Sequence, residues 1–330
     1  MIDKNIRETV QFLSYEEAAE QVRAEIERLL TTSPRPVREY TSHLAQSWGK
    51  MIRAHSLLSC AEDTEGRIHS NAVKFASAIE ILHLATLVHD DIIDSAVTRR
   101  GFATLQHKFG KRNAVICGDY LLCLALQQAG SVPDKTDYLE MKFPEYMNRI
   151  CFGELMQNQN NGNLNLSTYR YLKIIAGKTA ALFELSAYAG AVVCKDACEE
   201  IRHYMRLGHY MGMIFQLTDD CIDFESPESL AKKPVQSDFE QGVITLPLIH
   251  AFKHQGHLRQ QAADNRISRS NINQAVWETG GLSFTRTMAR RYYNKAVALL
   301  DTFNATSEKK ERLIKIFDKA CKGLQNEAVS

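Results

Sequence analysis

The chain has 330 residues, 45% hydrophobic and 24% charged, with a formal net charge of +1. That is enough apolar content for a large core, and the balanced charge, mixed along the chain without a long block of one sign, supplies no field for nucleic acid or for an acidic partner. Eight cysteines with no C-x-x-C pair exclude a disulfide framework and read as small core side chains in a reducing compartment; Cys194 and Cys198 stand one helical turn apart, but no matching Cys/His pair follows at zinc-site spacing.

From the N-terminus, Met1 to Glu8 is charged and lacks an apolar stretch of signal type, and no run approaches the roughly 18 uninterrupted apolar residues that span a bilayer. A cytoplasmic protein without a transmembrane segment is expected. Prolines fall at 34, 36, 133, 144, 227, 234 and 247, so 37–132 and 145–226 are free of them. An interior proline costs a helix about 3 kcal/mol, so these stretches favour long helices. Strand alternation is weak. The periodicity predicts helices over 5–31, 36–60, 71–94, 112–130, 136–160, 167–192, 195–224, 243–255, 268–280, 282–303 and 307–324. The helix over 71–94 is apolar on nearly every face (Val73, Phe75, Ala76, Ile79, Leu82, Leu84, Leu87, Val88), as is 204–224, which marks both as central. No Gly/Ser linker or repeat period appears. A single all-α domain over 1–330 is expected.

Both central helices end in the same acidic pattern, Asp90-Asp91-Ile92-Ile93-Asp94 and Asp219-Asp220-Cys221-Ile222-Asp223. On a helix the first and fifth residues of D-D-x-x-D stack and the second lies beside them. Each pattern therefore directs carboxylates at one small volume, near a helix C-terminus whose dipole disfavours them. A hard divalent cation with oxygen ligands is the natural compensation, and Mg²⁺ usually joins carboxylates to substrate phosphates. One copy would read as a solvated helix end; two copies on buried-type helices do not. Arg99-Arg100-Gly101, just past Asp94, adds a guanidinium pair suited to phosphate oxygens.

These motifs resemble the trans-isoprenyl diphosphate synthase family, the head-to-tail polyprenyl elongating enzymes. His83 to Asp94 with Arg99-Arg100-Gly101 is similar to its first aspartate-rich region, and Phe215 to Phe224 to its second. Lys233-Pro234, Asp238, Gly242 and Thr245-Leu246-Pro247 resemble the family's segment after that second region. Gly177-Lys178-Thr179-Ala180 resembles the lysine–threonine motif, Gly153-Glu154 with Gln157 the glycine–glutamate motif, and Gly280-Gly281, Ala289, Tyr293, Lys295 and Ala296 the C-terminal part. The likeness runs from about residue 40 to 300 and implies an isoprenoid-synthase-type helical bundle around a central cavity.

The resemblance implies Mg²⁺, three ions with substrate bound, on Asp90, Asp91, Asp94, Asp219, Asp220 and Asp223. It implies that Arg99, Lys178 and Lys233 bind the allylic diphosphate, and that Gly49, Lys50, Arg53, His83 and Arg100 hold isopentenyl diphosphate. Thr179 and Gln216 would sit by the developing carbocation and Phe215 near the homoallylic substrate; Lys178, Thr179, Gln216, Asp90 and Asp219 would carry the catalysis. The product would be a trans-polyprenyl diphosphate for isoprenoid or quinone side chains. Small Ala85 and Thr86 imply geranylgeranyl length or longer, hexaprenyl to heptaprenyl, with Leu82, Leu122 or Leu126 as a floor. A homodimer is implied, with the catalytic half of a heterodimer with a small subunit as the alternative. The family's glycine-glycine-lysine-arginine-x-arginine-proline stretch stands here as Trp48-Gly49-Lys50-Met51-Ile52-Arg53-Ala54, which keeps the lysine and final arginine; Val243 replaces a lysine often found after Gly242. A class I terpene cyclase would not need Lys50, Arg53 and Arg100, a regulatory subunit would not keep all six aspartates, and a helical scaffold would bind no diphosphate.

Overall fold

The computed structural model describes residues 11–47, 49–132, 141–196, 198–225, 239, 241–264 and 267–321. They are mainly helical, joined by turns and loops, with two short antiparallel ladders and an isolated bridge. The all-α expectation holds. The chain divides into two compact units, Met1–Lys142 with Leu185–Met205 and Phe303–Leu313, and Phe143–Glu184 with Arg206–Thr302 and Ile314–Ser330.

In the first unit, β1 (Phe12–Leu13) pairs with β2 (Ile68–His69). Strand therefore occupies part of the predicted helix over 5–31, and α1 (Tyr15–Thr31) starts only at a capping box, in which the Ser14 hydroxyl accepts from Glu17 N–H and the Glu17 carboxylate accepts from Ser14 N–H. The helix expected over 36–60 is two, α2 (Arg35–Leu44) and α3 (Ile52–Ala61). Between them the chain turns through Gly49 and Lys50 to Met51, which takes a left-handed φ of 48°. Leaving the right-handed helix costs a non-glycine residue roughly 1 kcal/mol, and periodicity carries no trace of such a break.

The central helix α4 (Asn71–Ile93) matches its prediction to one residue. It packs against α1, α3 and α6 (Lys111–Ala129) and buries Phe75, Ile79, Ile81, Leu82, Ala85 and Val88. By length and composition it could cross a membrane, yet most of its apolar window is buried inside the structure. Beyond it, β3 (Thr98–Arg99) and β4 (Phe102–Ala103) form a hairpin whose two central residues, Arg100 and Gly101, have φ of 53° and 84°. Two successive positive φ values mark a type I′ turn, which matches strand twist and suits glycine. The unpredicted α5 (Leu105–Phe109) comes next, capped by the Thr104 hydroxyl.

In the second unit, α7 (Phe143–Gln159) and α8 (Thr168–Ile175) lead into a π-helical turn over Ala176–Ala180, then α9 (Ala181–Cys194) and α10 (Cys198–Glu225). The helices α11 (Leu246–His254), α12 (Gly256–Ala263), α13 (Arg269–Glu278), α14 (Gly281–Asp301) and α15 (Ser307–Ala320) complete the chain. Pro36, Pro144 and Pro247 all sit in first helical turns, where the missing N–H is not needed. The core of this unit gathers Tyr171, Ile174, Leu217, Phe224, Leu248, Phe252, Ile272 and Val276. Within the first unit, Lys309 Nζ donates to the backbone oxygens of Cys60 (3.1 Å) and Glu62 (2.7 Å), closing the C-terminal end of α3.

Candidate active site

In the first unit, the stripe Glu80, His83, Leu87, Asp90/Asp91, Asp94 recurs at three- and four-residue spacing along α4 and so lies on one face. Asp91 is buried, while Asp90 and Asp94 are half-buried. Arg99 reaches back from the hairpin, its Nε 2.7 Å from Asp91 Oδ1. The next residue, Arg100, is carried by the turn toward the loop between α2 and α3. There its Nη1 donates to Ser47 O at 3.1 Å, and its guanidinium lies where a Cβ on Gly49 would stand, 2.7 Å from Nη2. A cavity of about 30 Å³ lies among Ser47, Leu87, Asp91, Arg99 and Arg100.

Arg53, Glu80 and His83 lie together half-buried at the start of α3. Ala54 N–H donates to Glu80 Oε1 at 2.9 Å. Burial lowers the Arg53 pKa to about 10, against the opposing pull of the Glu80 carboxylate. Burial, then the positive field of Arg53, Arg100 and Arg99, holds His83 well below the ordinary imidazole value. A neutral His83 keeps one N–H donor and one acceptor. Lys50 is exposed on the same loop.

The second unit brings the lysine–threonine and glycine–glutamate motifs together by backbone contact. A Cβ on Gly153 would lie 2.2 Å from Lys178 N and 2.6 Å from Gly177 C, so only glycine lets α7 approach the π turn this closely. That approach sets Glu154 against Lys178, Nζ to Oε2 2.8 Å. The π turn, a form frequent at functional sites, presents Thr179 to α10. There Thr179 Oγ1 donates to Gln216 Oε1 (2.7 Å), Gln216 Nε2 donates to Asp220 Oδ1 (2.9 Å), and the Tyr171 hydroxyl donates to Asp220 Oδ2. Asp220 is buried, Asp223 half-buried and Asp219 exposed. The Phe215 ring packs on Phe183, centroids 5.5 Å apart.

Lys233, with Pro234 and Asp238, lies outside the described residues, as does Trp48. Leu126, expected as a floor of the product tunnel, is 40% exposed, because α6 turns Leu121 and Ala125 inward instead. Cys194 is half-buried, with its thiol pushed up to about 12 by burial, and Cys198 is exposed. Reasoning from the sequence missed Glu80 and Tyr171. Glu80 carried a signal, an acidic residue inside an otherwise apolar helix.

Among the described residues no three His, Cys, Asp or Glu side chains gather as a metal-binding group. Asp91 is turned to Arg99 and Asp220 to Tyr171 and Gln216. The donor chemistry nevertheless fits Mg²⁺. Every candidate donor is a carboxylate oxygen, and this ion keeps several waters and takes one or two carboxylates plus phosphate, rather than a protein cage.

The polyprenyl synthetase family model matches residues 34–279. The chain is 33% identical over 303 residues to heptaprenyl diphosphate synthase component 2 of Geobacillus stearothermophilus, covering 88% of this chain and 90% of that protein. It is 31% identical over 294 residues to octaprenyl diphosphate synthase of Escherichia coli (strain K12), covering 86% and 90%. Among solved structures, the polyprenyl synthase of Caulobacter crescentus CB15, complexed with calcium and isoprenyl diphosphate, superposes with a TM-score of 0.84 at 28% identity over 93% of this chain and 94% of that one. The chain belongs to the polyprenyl synthetase family, a family of trans-prenyltransferases.

Proposed function

We propose that the chain condenses isopentenyl diphosphate with an allylic diphosphate and releases a trans-polyprenyl diphosphate of geranylgeranyl length or longer. The observation that carries this reading residue by residue is the hydrogen-bonded line Thr179–Gln216–Asp220–Tyr171 beside Lys178. It joins a cation for a diphosphate, two neutral oxygen dipoles for a carbocation, and a carboxylate for a metal. Asp90, Asp91, Asp94, Asp219, Asp220 and Asp223 are assigned to Mg²⁺. Bound there, Mg²⁺ supplies electrostatic stabilisation of the charge on the departing diphosphate.

Arg99 and Lys178 bind the allylic diphosphate, and Lys233 is assigned to it as well. They favour the charge that builds as the allylic C–O bond breaks. Thr179 and Gln216 face the resulting cation with oxygen lone pairs. Gly49, Lys50, Arg53, His83 and Arg100 hold isopentenyl diphosphate, so that its double bond attacks in place and the new C–C bond forms. The proton lost from the isopentenyl unit goes to the released diphosphate, so no side chain need act as base. Ala85, small and on the α4 turn before Asp90, supports a long product because no aromatic side chain stands there to close a product path.

The family match runs without interruption through 34–279 and supports one synthase domain over the whole chain. A homodimer is part of the proposal, supported by the exposed apolar residues Val115, Ile116 and Leu126 on α6. The relative named as component 2 favours one second reading, a catalytic subunit that needs a small partner. A cytoplasmic location and a role in isoprenoid or quinone side-chain synthesis complete the reading.

The test is incubation of the purified chain alone with Mg²⁺, labelled isopentenyl diphosphate and farnesyl diphosphate, with product length read by chromatography. A ladder ending at a defined length supports the first reading. Diphosphate binding without product supports the second, and neither binding nor product refutes both.

A further inference from the structure

The start of α3 has no cap of its own. Met51 occupies the cap position in a left-handed conformation and makes no side-chain hydrogen bond to the first turn. A helix start without a side-chain cap leaves backbone N–H groups exposed, and a carboxylate is the acceptor they favour. That carboxylate comes from another helix. Glu80, in the middle of α4, accepts from Ala54 N–H at 2.9 Å. The same carboxylate faces the guanidinium groups of Arg53 and Arg100. Arg53 and Arg100 repel one another, and Arg99 adds to the positive field on Arg100. One anion thus joins the first turn of α3 to a cluster of cations that would otherwise spread apart. His83 lies one turn further along the same face of α4.

We infer that Glu80 is a positioning residue for isopentenyl diphosphate: by tying the first turn of α3 to α4 and attracting both Arg53 and Arg100, it sets those two guanidiniums and the Gly49-Lys50 loop at the spacing that grips a diphosphate. The inference rests on the proposed assignment of Arg53, Arg100, Gly49 and Lys50 to that substrate. It goes further, because Glu80 is an anion and cannot itself bind a diphosphate. It also bears on the departure of this chain from the family pattern. With the proline and first arginine of that stretch replaced by Ala54 and Met51, the loop has less stiffness of its own, and the anchor from α4 carries more of the arrangement.

Two effects of removing the charge oppose each other. Relieving the repulsion between carboxylate and diphosphate favours binding, whereas loss of the anchor lets the cations separate and the loop lose its shape. Positioning dominates here because the carboxylate accepts from the α3 backbone at Ala54 and attracts both guanidiniums, whereas a glutamine keeps one acceptor oxygen and no charge.

The test is steady-state kinetics of Glu80→Gln and Glu80→Asp in the full-length protein, varying isopentenyl diphosphate at saturating farnesyl diphosphate and the reverse. Glu80→Gln should raise KM for isopentenyl diphosphate tenfold or more, by order of magnitude, while KM for farnesyl diphosphate moves less than about twofold. Glu80→Asp keeps the charge with a shorter reach, and should recover part of the loss. An unchanged or lowered KM for isopentenyl diphosphate overturns the inference, and so does an equal rise for both substrates. If Glu80→Gln fails to fold, Glu80→Asp decides by the same split between the two KM values. A parent that neither turns over nor binds diphosphate would instead refute the proposed function, and for a parent that binds without turnover the same comparison is read from isopentenyl and farnesyl diphosphate affinities, which separates the two failures.

Discussion

Replacing Gly153 by alanine tests the local architecture of the candidate site in one step. The added Cβ would meet Lys178 N at 2.2 Å, Gly177 C at 2.6 Å and Gly177 Cα at 2.9 Å, where ordinary contact begins near 3.4 Å. All three atoms are backbone, so no side-chain rotation relieves the clash, and α7 must move from the π turn by about 1 Å. Overpacking of this kind costs about 2–4 kcal/mol, at the upper end because both neighbours are main chain. The same movement loosens Lys178 from Glu154 and shifts Thr179 against Gln216, contacts of 2.8 and 2.7 Å. Misplacement of that size costs turnover on the order of 100-fold. Urea unfolding tracked by far-UV circular dichroism, with turnover on the same preparations, measures both. Gly256→Ala is the control, since a Cβ there meets nothing within 4 Å and its backbone is ordinary. It should change stability by less than about 0.5 kcal/mol. A Gly153→Ala enzyme as stable and as active as the parent would refute the close-approach argument.

Three further outcomes are expected. Asp90→Ala and Asp219→Ala should each lower turnover by orders of magnitude while the far-UV spectrum and urea midpoint stay near parent values; near-normal turnover in either contradicts the metal assignment. Ala85→Phe should shorten the product, read by chromatography, and an unchanged ladder would remove Ala85 from the product path. His83 is half-buried, and desolvation with the nearby arginines holds its pKa below the unfolded value, so below about pH 6.5 the unfolded chain binds a proton that the folded chain resists. Its neutral form therefore contributes stability above that pH, and the contribution is lost as pH falls toward the folded value. His83→Gln should flatten the decline of the urea midpoint between pH 6.5 and 5, and an identical slope in parent and variant would place the histidine in solvent.

How much of this was legible depends on what each feature needs. The helix α4 was read to one residue because its apolar pattern and its ending on Asp90 to Asp94 are local. The break between α2 and α3 was not, because it rests on the left-handed Met51 and on an acceptor, Glu80, that is 26 residues from Ala54. Arg99-Arg100-Gly101 was read as a phosphate loop, and its Arg-Gly pair is also the type I′ turn that separates the two arginines, Arg99 to Asp91 and Arg100 to Ser47. Both D-D-x-x-D motifs were legible as carboxylate sets. Their actual engagements were not, since Tyr171 and Arg99 reach Asp220 and Asp91 from elements that periodicity cannot bring together.

A carboxylate beside a substrate-binding cation can act in opposite ways, and the contrast between Glu80 and Glu154 separates them. Glu80 also accepts from a helix amide, that of Ala54, so it anchors backbone. Among the described residues, Glu154 meets Lys178 by its side chain, at 2.8 Å, with both side chains less than a quarter exposed. If Lys178 binds the allylic diphosphate, Glu154 competes with that substrate for the same ammonium. Part-buried pairs of this kind are worth about 1 kcal/mol, which converts to roughly a fivefold change in affinity. Glu154→Gln should therefore lower KM for farnesyl diphosphate about fivefold, leave KM for isopentenyl diphosphate unchanged, and reduce stability by about 1 kcal/mol. A higher KM for farnesyl diphosphate would mean that Glu154 aligns the lysine rather than competing for it. The two glutamates would then share one role, and accepting from backbone amides could not be what distinguishes an anchor from a competitor.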